Sequence, residues 1–229
     1  MDIFQECALN FQKIAQTTKY IFHVAKNKRI EVFLIDFKES DFHHVAGLQY
    51  LTDIQIPRSK NRVIPWILEG NNNVTEEYLQ KSAFYKGKPN DEKDVEKRIS
   101  ELRFLEEYLD NDNIVYIYSP KDSPQNNSLI NCDYIIKSKS NKRNETVFIF
   151  LKHRSGSDSS CRIISFGVKK KVEYGGIYTY VMLKDKIING DRKNLFRHKK
   201  YGTDQIILNE PDVIAEYITD EENDDNGES

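Results

Sequence analysis

The feature that most constrains the fold is a change of sequence texture after Asn113. From there the chain alternates short runs of β-branched and aromatic residues with stretches rich in Ser, Asn, Asp, Lys and Gly. Alternation of this kind predicts strands joined by turns in an antiparallel sheet. The predicted strands cover residues 114–119, 129–137, 145–152, 161–166 and 177–184.

The part of the chain before Asn113 predicts helices around one β-hairpin. Apolar residues at helical spacing predict an amphipathic helix over 3–16. Two β-branched and aromatic runs flank the sequence KNK, which predicts a hairpin of strands 19–25 and 29–36. Further helices are predicted over residues 40–54, 62–69, 75–85 and 92–110. The fold class is therefore α+β: an N-terminal helix and β-hairpin, a helical block, then an antiparallel β-meander.

The charges divide the chain into a body and a tail. The formal net charge of −2 averages a mildly basic body with a segment from Thr203 to Ser229 that is rich in Asp and Glu and holds no Lys or Arg. We expect one α+β domain over residues 1–190, a peripheral basic and aromatic segment over 191–218, and a disordered acidic tail over 219–229. A mildly basic body is compatible with a polyanionic partner.

The sequence argues against several kinds of site and against secretion or membrane insertion. The three cysteines are far apart and form no CxxC pair, which argues against a disulfide framework and a cysteine zinc site. No apolar stretch approaches the ~20 residues that span a bilayer. The N-terminal residues lack the apolar core of a secretory signal. Motifs for phosphate-cradling loops, zincins and serine hydrolases are absent. We expect a cytoplasmic protein with no cofactor and no membrane contact.

Two adjacent histidines carry the strongest chemical signal. His43 and His44 lie in the sequence ESDFHHVAGLQYLTDI, and a helical projection places both in one largely apolar arc. At least one imidazole should therefore face protein. Neighbouring helical residues point about 100° apart, and Gly47 and Leu48 offer no further ligand, so we expect no metal site. A buried histidine bonded to a backbone carbonyl is the plainer alternative.

This segment resembles the signature of a phage and mobile-element nuclease family, the fourth phage-type group of the Barnase–EndoU–Colicin–RelE superfamily. The pattern F-H-H-L-x-G-L-x-x-L-x-D-I is met throughout, except that Val45 replaces the leucine. The KSAFY sequence at 81–85 and the strands at 132–136, 147–152 and 178–187 resemble the family in order, so the resemblance covers residues 1–190. It implies helices packed on a curved antiparallel sheet.

The resemblance also implies a metal-independent endoribonuclease in which the 2′-hydroxyl of RNA attacks the neighbouring phosphate. Such a reaction needs a base, an acid and cations. In this chain it points to His43 and His44 as the general acid or base. The other catalytic candidates are Lys81, Ser82 and Tyr180. The candidate RNA contacts are Lys152, Arg162, Lys169, Lys170 and Lys171. The plainer alternatives are solvated cations and, for Tyr180, core packing.

The expected partner is RNA, either tRNA or mRNA, and an antitoxin or a phage protein is a further candidate. Toxins and phage or mobile-element effectors fit the implied activity. The alternative function is a non-catalytic RNA- or protein-binding module on the same fold. A structural or regulatory phage protein without nucleic-acid contact is a third hypothesis.

Overall fold

The computed structural model describes residues 1–69, 74–87, 93–119, 130–140, 145–157, 159–170 and 174–209. Its helices are α1 (Ile3–Thr17), α2 (Phe42–Val45), α3 (Val63–Leu68), α4 (Glu76–Leu79), α5 (Val95–Leu102), α6 (Leu105–Asp110) and α7 (Thr203–Asn209). Its strands are β1 (Thr18–Lys26), β2 (Arg29–Asp36), β3 (Ile114–Tyr118), β4 (Tyr134–Lys139), β5 (Thr146–His153), β6 (Ser160–Lys169), β7 (Gly176–Ile188) and β8 (Asp191–Arg197).

The N-terminal helix and hairpin are confirmed. Helix α1 begins with a capping box in which Asp2 Oδ1 accepts from the Gln5 amide at 2.9 Å and Gln5 Oε1 accepts from the Asp2 amide at 3.2 Å. The turn between β1 and β2 places Asn27 and Lys28 at positive φ. Two such residues match the twist of a tight hairpin, which explains the two-residue connection.

The strands pair as one large curved sheet, so the α+β class is confirmed. Strands β3 to β6 form an antiparallel meander, and β7 then pairs with both β3 and β1. A short parallel contact joins β2 to β6. The pairings therefore close a ring through seven strands, and β8 extends the sheet from β7. This ring brings the end of β2 beside the start of β6, and α2 contacts β6.

One face of the sheet holds the main core. Phe4, Phe11 and Ile14 of α1 pack with alternate residues of the strands and with α3, α5 and α6. A second cluster, built around Phe148 and Phe150, covers part of the opposite face. Burial on both faces explains why several strands, such as β5, read as nearly continuous apolar runs.

Two predicted helices are shorter in the structure. The segment 75–85 is helical only in α4, because beyond it the side chain of Ser82 bonds to Asp53 and the chain turns. The segment predicted over 92–110 divides into α5 and α6 at Arg103 and Phe104, where the Phe104 amide bonds to the Glu101 carbonyl at 3.0 Å. This bond spans three residues rather than the four of an α-helix, so α5 ends here and α6 begins after it.

The C-terminal part of the described chain adds β8 and α7 to the segment expected to be peripheral. Residues 210–229, which include the predicted acidic tail, lie outside the described residues. Among the residues that are described, no helix combines the length and apolar composition needed to cross a bilayer.

The buried Lys184 on β7 joins the sheet to the end of α6. Its Nζ donates to the carbonyl oxygens of Leu109, Asp110 and Asn111 at 2.9, 3.0 and 2.6 Å and to Asn113 Oδ1 at 3.1 Å. The last carbonyls of a helix have no partner within it, so the ammonium group supplies what the helix lacks. Burial lowers the pKa of Lys184 to about 8.

We predict that Lys184→Met lowers the free energy of unfolding by about 1–3 kcal/mol, since it leaves buried carbonyls without a donor. Urea unfolding followed by circular dichroism measures the change. Lys193→Met, at an exposed position of β8, is the matched control and should be nearly neutral. Equal stability of the two variants would show that the Lys184 contacts contribute nothing.

Candidate active site

The histidine segment is a bent turn rather than the long helix predicted over 40–54, and that prediction is wrong. A 3₁₀ turn at Glu39–Asp41 leads into the four-residue helix α2, and a second 3₁₀ turn covers Leu48–Tyr50. Between them Gly47 has φ +79°, in the left-handed region. Only glycine adopts that conformation without strain, so the helix ends there. We call residues 39–50 the histidine turn.

The buried first and last residues of α2 position the two imidazoles between them. Phe42 and Val45 are fully buried, and Phe42 packs on Phe11 of α1 with ring centroids 5.3 Å apart. His43 and His44 lie between them in sequence and are half-buried. The core therefore holds the backbone of α2 and leaves both imidazoles at the edge of the protein.

A buried guanidinium lies beneath the histidine turn. Arg98 of α5 is 3% exposed, and its Nη1 donates to the Val45 carbonyl and the Ser165 hydroxyl, both at 3.4 Å. Its Cζ lies 5.5 Å from the centre of the Tyr50 ring. A Cβ added to Gly47 would stand 2.8 Å from Arg98 Cδ. Glycine is therefore required at position 47 both for its φ and for this close approach.

The two imidazoles contact each other edge to face, with centroids 5.3 Å apart and an interplanar angle of 85°. Burial, then the neighbouring His44 and Lys60, lower the pKa of His43 to about 4. Burial, Lys60 and Arg162 also lower the pKa of His44, against opposing effects of Asp41 and Gln49. Both rings are therefore neutral at pH 7. His43 Nδ1 is buried and has no hydrogen-bond partner among the described residues.

Exposed cations flank these neutral rings. Lys60 lies in the 3₁₀ turn Lys60–Arg62, and Arg162 lies on β6. Both side chains are exposed, and their charges are close enough to lower the pKa of His44. Within the described ranges, no group of three or more His, Cys, Asp or Glu residues is arranged as a set of metal ligands. This combination of neutral imidazoles and cations suits an anionic ligand.

An ion pair fixes the start of the histidine turn to the sheet. Arg154, just after β5, donates from Nη2 to Asp41 Oδ2 at 2.8 Å and to the Asp36 carbonyl at 2.6 Å. Asp41 Oδ2 also accepts from the Lys38 amide at 3.1 Å. The carboxylate is thus held by two donors near His44, where it opposes the effect of the cations on that imidazole.

Two other predicted catalytic residues lie on the loop after α4. The Ser82 hydroxyl is buried and donates to Asp53 Oδ1, and the Ala83 amide donates to Asp53 Oδ2 at 2.8 Å. Lys81 is exposed, and its Nζ lies 5.4 Å from the centre of the Tyr78 ring. Residues 42–54, which carry the F-H-H pattern, are called the histidine motif below. The bonds to Asp53 join the loop after α4 to the last part of this motif.

Tyr180 lies in a different part of the molecule. It is 66% exposed on β7 and pairs with Ala25 beside the hairpin turn, at the end of β1 and β2 opposite to the histidine turn. It lines a groove with Tyr178 and Phe196. The structure therefore brings His43, His44 and Arg162 together and does not bring Tyr180 to them.

The predicted RNA contacts fall on two strands. Lys152 is half-buried and lies directly opposite Arg162 in the pairing of β5 with β6. Lys169 at the end of β6 is buried, and the exposed Lys170 has its Nζ 3.6 Å from Glu145 Oε1. Lys171 lies outside the described residues.

Sequence reasoning missed Arg98 and Lys60. Arg98 shares the core-facing side of α5 with Val95, Ile99 and Leu102. A cation within such an apolar stripe is a signal that could have singled it out, since Arg is rarely buried without a specific role. Lys60 belongs to the basic sequence PRSKNR, and only the fold brings it to the histidine turn.

A family model described as phage-Barnase-EndoU-ColicinE5/D-RelE like nuclease4 matches residues 3–202. The chain belongs to this family. The match begins in α1 and ends after β8, so it includes the histidine turn, Arg98, the loop after α4 and the whole sheet. Membership confirms the resemblance, and the name of the family indicates a nuclease and hence a nucleic-acid substrate. No curated protein and no solved structure matches the chain.

We predict that Gly47→Ala destabilises the protein by about 2–4 kcal/mol, because it adds a contact with Arg98 to the strain of a positive φ. Gly156→Ala is the matched control, since Gly156 has φ +82° with nothing within 4 Å of an added Cβ. The control should lose about 1–2 kcal/mol. Denaturant unfolding of both variants separates packing from backbone strain, and equal losses would contradict the role given to Arg98.

Proposed function

We propose that this protein is a metal-independent endoribonuclease whose active centre is the histidine turn. The observation that carries the proposal is the half-buried imidazole pair of His43 and His44, with lowered pKa values, beside exposed cations. A neutral imidazole accepts a proton at physiological pH, and cations attract the phosphates of RNA. Family membership supports the same reading.

In the proposed complex, the phosphate that is cleaved binds between the imidazoles and the exposed cations. Lys60 and Arg162 contact its non-bridging oxygens, where charge accumulates as the reaction proceeds. Arg98 is buried beneath the turn and acts as a positioning residue that also adds positive potential. No step in this scheme uses a metal ion.

The proposed reaction is a transesterification. His43 accepts the proton of the 2′-hydroxyl while the 2′-oxygen attacks the adjacent phosphorus. The bond from phosphorus to the 5′-oxygen breaks, and His44 donates a proton to that oxygen. The products are an RNA end with a 2′,3′-cyclic phosphate and an RNA that begins with a 5′-hydroxyl. The first step requires neutral His43, and the last requires protonated His44.

The difference between the two imidazoles supports these roles. His43 has a pKa of about 4, so it is ready to accept a proton over a wide pH range. Asp41 and Gln49 raise the pKa of His44 against the other influences on it, which favours His44 as the proton donor. Pairs of groups whose environments separate their pKa values are typical of an acid and a base in one site.

The proposed substrate is RNA in the cytoplasm, where tRNA and mRNA are both available. Cleavage of either would fit a toxin or a phage effector. An antitoxin or phage protein that binds the exposed cations would then block the site.

We predict that His43→Ala and His44→Ala each lower kcat/KM for RNA cleavage about 100- to 10,000-fold. Purified protein is incubated with total RNA in EDTA, and 2′,3′-cyclic ends are measured. His198→Ala, a half-buried histidine near the end of β8, is the control and should retain activity. Salt-sensitive RNA binding without new cyclic ends would instead support the non-catalytic binding module.

We predict that kcat/KM is highest on the acidic side of neutrality. The profile should rise as His43 loses its proton near pH 4. It should fall before or near pH 6.5, since the pKa of His44 lies below that ordinary value. The dependence of kcat/KM on pH reports groups of the free enzyme, so this profile tests both shifts. A maximum above pH 8 would contradict the assignment.

A further inference from the structure

The loop after α4 presents one large apolar side chain to solvent. Ser82 and Tyr85 are buried, whereas Phe84 between them is 51% exposed. The loop is well anchored: Asp53 accepts from Ser82 and Ala83, and the Phe84 amide donates to Ser82 Oγ at 3.1 Å. These hydrogen bonds hold the backbone of the loop in place. The phenyl ring of Phe84 is nevertheless exposed, so packing in the core does not explain why an aromatic residue is found at this position.

Phe84 borders a cleft of about 360 Å³ between this loop and the end of the histidine turn. Gln49, Tyr50 and Thr52 line one side, and Ala83, Phe84 and Lys86 line the other. The volume is within the range of small-ligand sites and accommodates a nucleobase. The cleft thus combines an exposed aromatic ring with polar and cationic side chains.

The cleft adjoins the histidine turn through Gln49 and Tyr50. Gln49 Nε2 lies 3.5 Å from the carbonyl oxygen of His44, and the Tyr50 ring contacts the Arg98 guanidinium beneath the histidines. The Gln49 side chain also raises the pKa of His44 through a hydrogen bond. Gln49 and Tyr50 therefore belong both to the histidine turn and to the wall of the cleft.

We propose that this cleft binds a nucleobase of one of the two nucleotides that flank the cleaved phosphate, with Phe84 stacked on the base. Single-stranded RNA is recognised by stacking of unpaired bases on aromatic rings and by hydrogen bonds to base edges. Thr52 and Lys86 line the same cleft and offer polar contacts to the edge of the base. The inference rests on the proposed ribonuclease function and adds a subsite for base selection.

The two hydrogen bonds that Asp53 accepts from Ser82 and Ala83, called the Asp53 clamp, connect this cleft to the histidine motif. Asp53 belongs to the histidine motif, and Ser82 and Phe84 belong to the loop after α4. The hydrogen bonds from Ser82 and Ala83 lower the pKa of Asp53, so the carboxylate stays charged and the clamp stays closed at neutral pH. These bonds hold the loop that carries Phe84 against the segment that follows the two histidines.

The test compares Phe84→Ala with Phe84→Trp on short DNA oligonucleotides that contain a single ribonucleotide, in versions that vary the base on either side of the cleavage site. We expect Phe84→Ala to raise KM about 5- to 100-fold with a much smaller change in kcat. The preference among bases should flatten. Phe84→Trp, which preserves stacking, should stay close to the wild type in KM. Unchanged KM and base preference in Phe84→Ala would overturn the inference.

Binding of the all-DNA analogue, which lacks the attacking 2′-hydroxyl, separates this inference from the proposed function. We expect Phe84→Ala to weaken this binding by a similar factor, whether or not the wild type cleaves RNA. Phe196→Ala removes an exposed ring on β8 and should leave binding unchanged. A wild type that binds and never cleaves would refute only the nuclease proposal. Equal binding by wild type and Phe84→Ala would refute the subsite.

Discussion

Arg98 places a positive charge in the interior directly beneath the histidine turn. A buried charge is strongly unfavourable unless its donors are satisfied. Here the Val45 carbonyl, the Ser165 hydroxyl and the Tyr50 ring surround the guanidinium. These groups come from α2, β6 and the second 3₁₀ turn, so one side chain fixes three elements relative to one another. The bend at Gly47 follows, since a larger residue could not approach the Arg98 side chain so closely.

The structure explains the residue type at most positions of the histidine motif. Phe42, Val45, Leu48 and Leu51 are buried and hold the turn in the core. His43 and His44 lie at the edge, and Gly47 makes the bend. Asp53 clamps the loop after α4. The same apolar spacing is typical of an amphipathic helix, which is why periodicity alone predicts the core-facing residues correctly and the backbone path incorrectly.

Local signals made part of the fold predictable. Helix α1 carries its own capping box, and the hairpin has a two-residue turn, so both could be predicted from neighbouring residues. The path after His44 could not, because the conformation of Gly47 is coupled to Arg98, which is distant in sequence. The imidazole pair and Arg162 were candidates from the sequence, but their proximity, and the part of Lys60, required the fold. Lys60 reaches the site through its own loop and Arg162 through β6.

Burial, and after it the neighbouring positive charges, make the free site poor at binding protons. Folding lowers the pKa of His43 from 6.5 to about 4. Between pH 4 and pH 6.5 the folded chain therefore binds fewer protons than the unfolded chain. Stability therefore declines as the pH falls from 6.5 towards 4, and His43 contributes to that loss. A bound phosphate would add negative charge between the imidazoles and the cations, which raises the proton affinity of both rings. In the proposed mechanism, His43 is the base in the free protein, and a bound anion would help His44 to hold the proton that it donates. Ligand binding and proton donation would then be coupled through the same local charges.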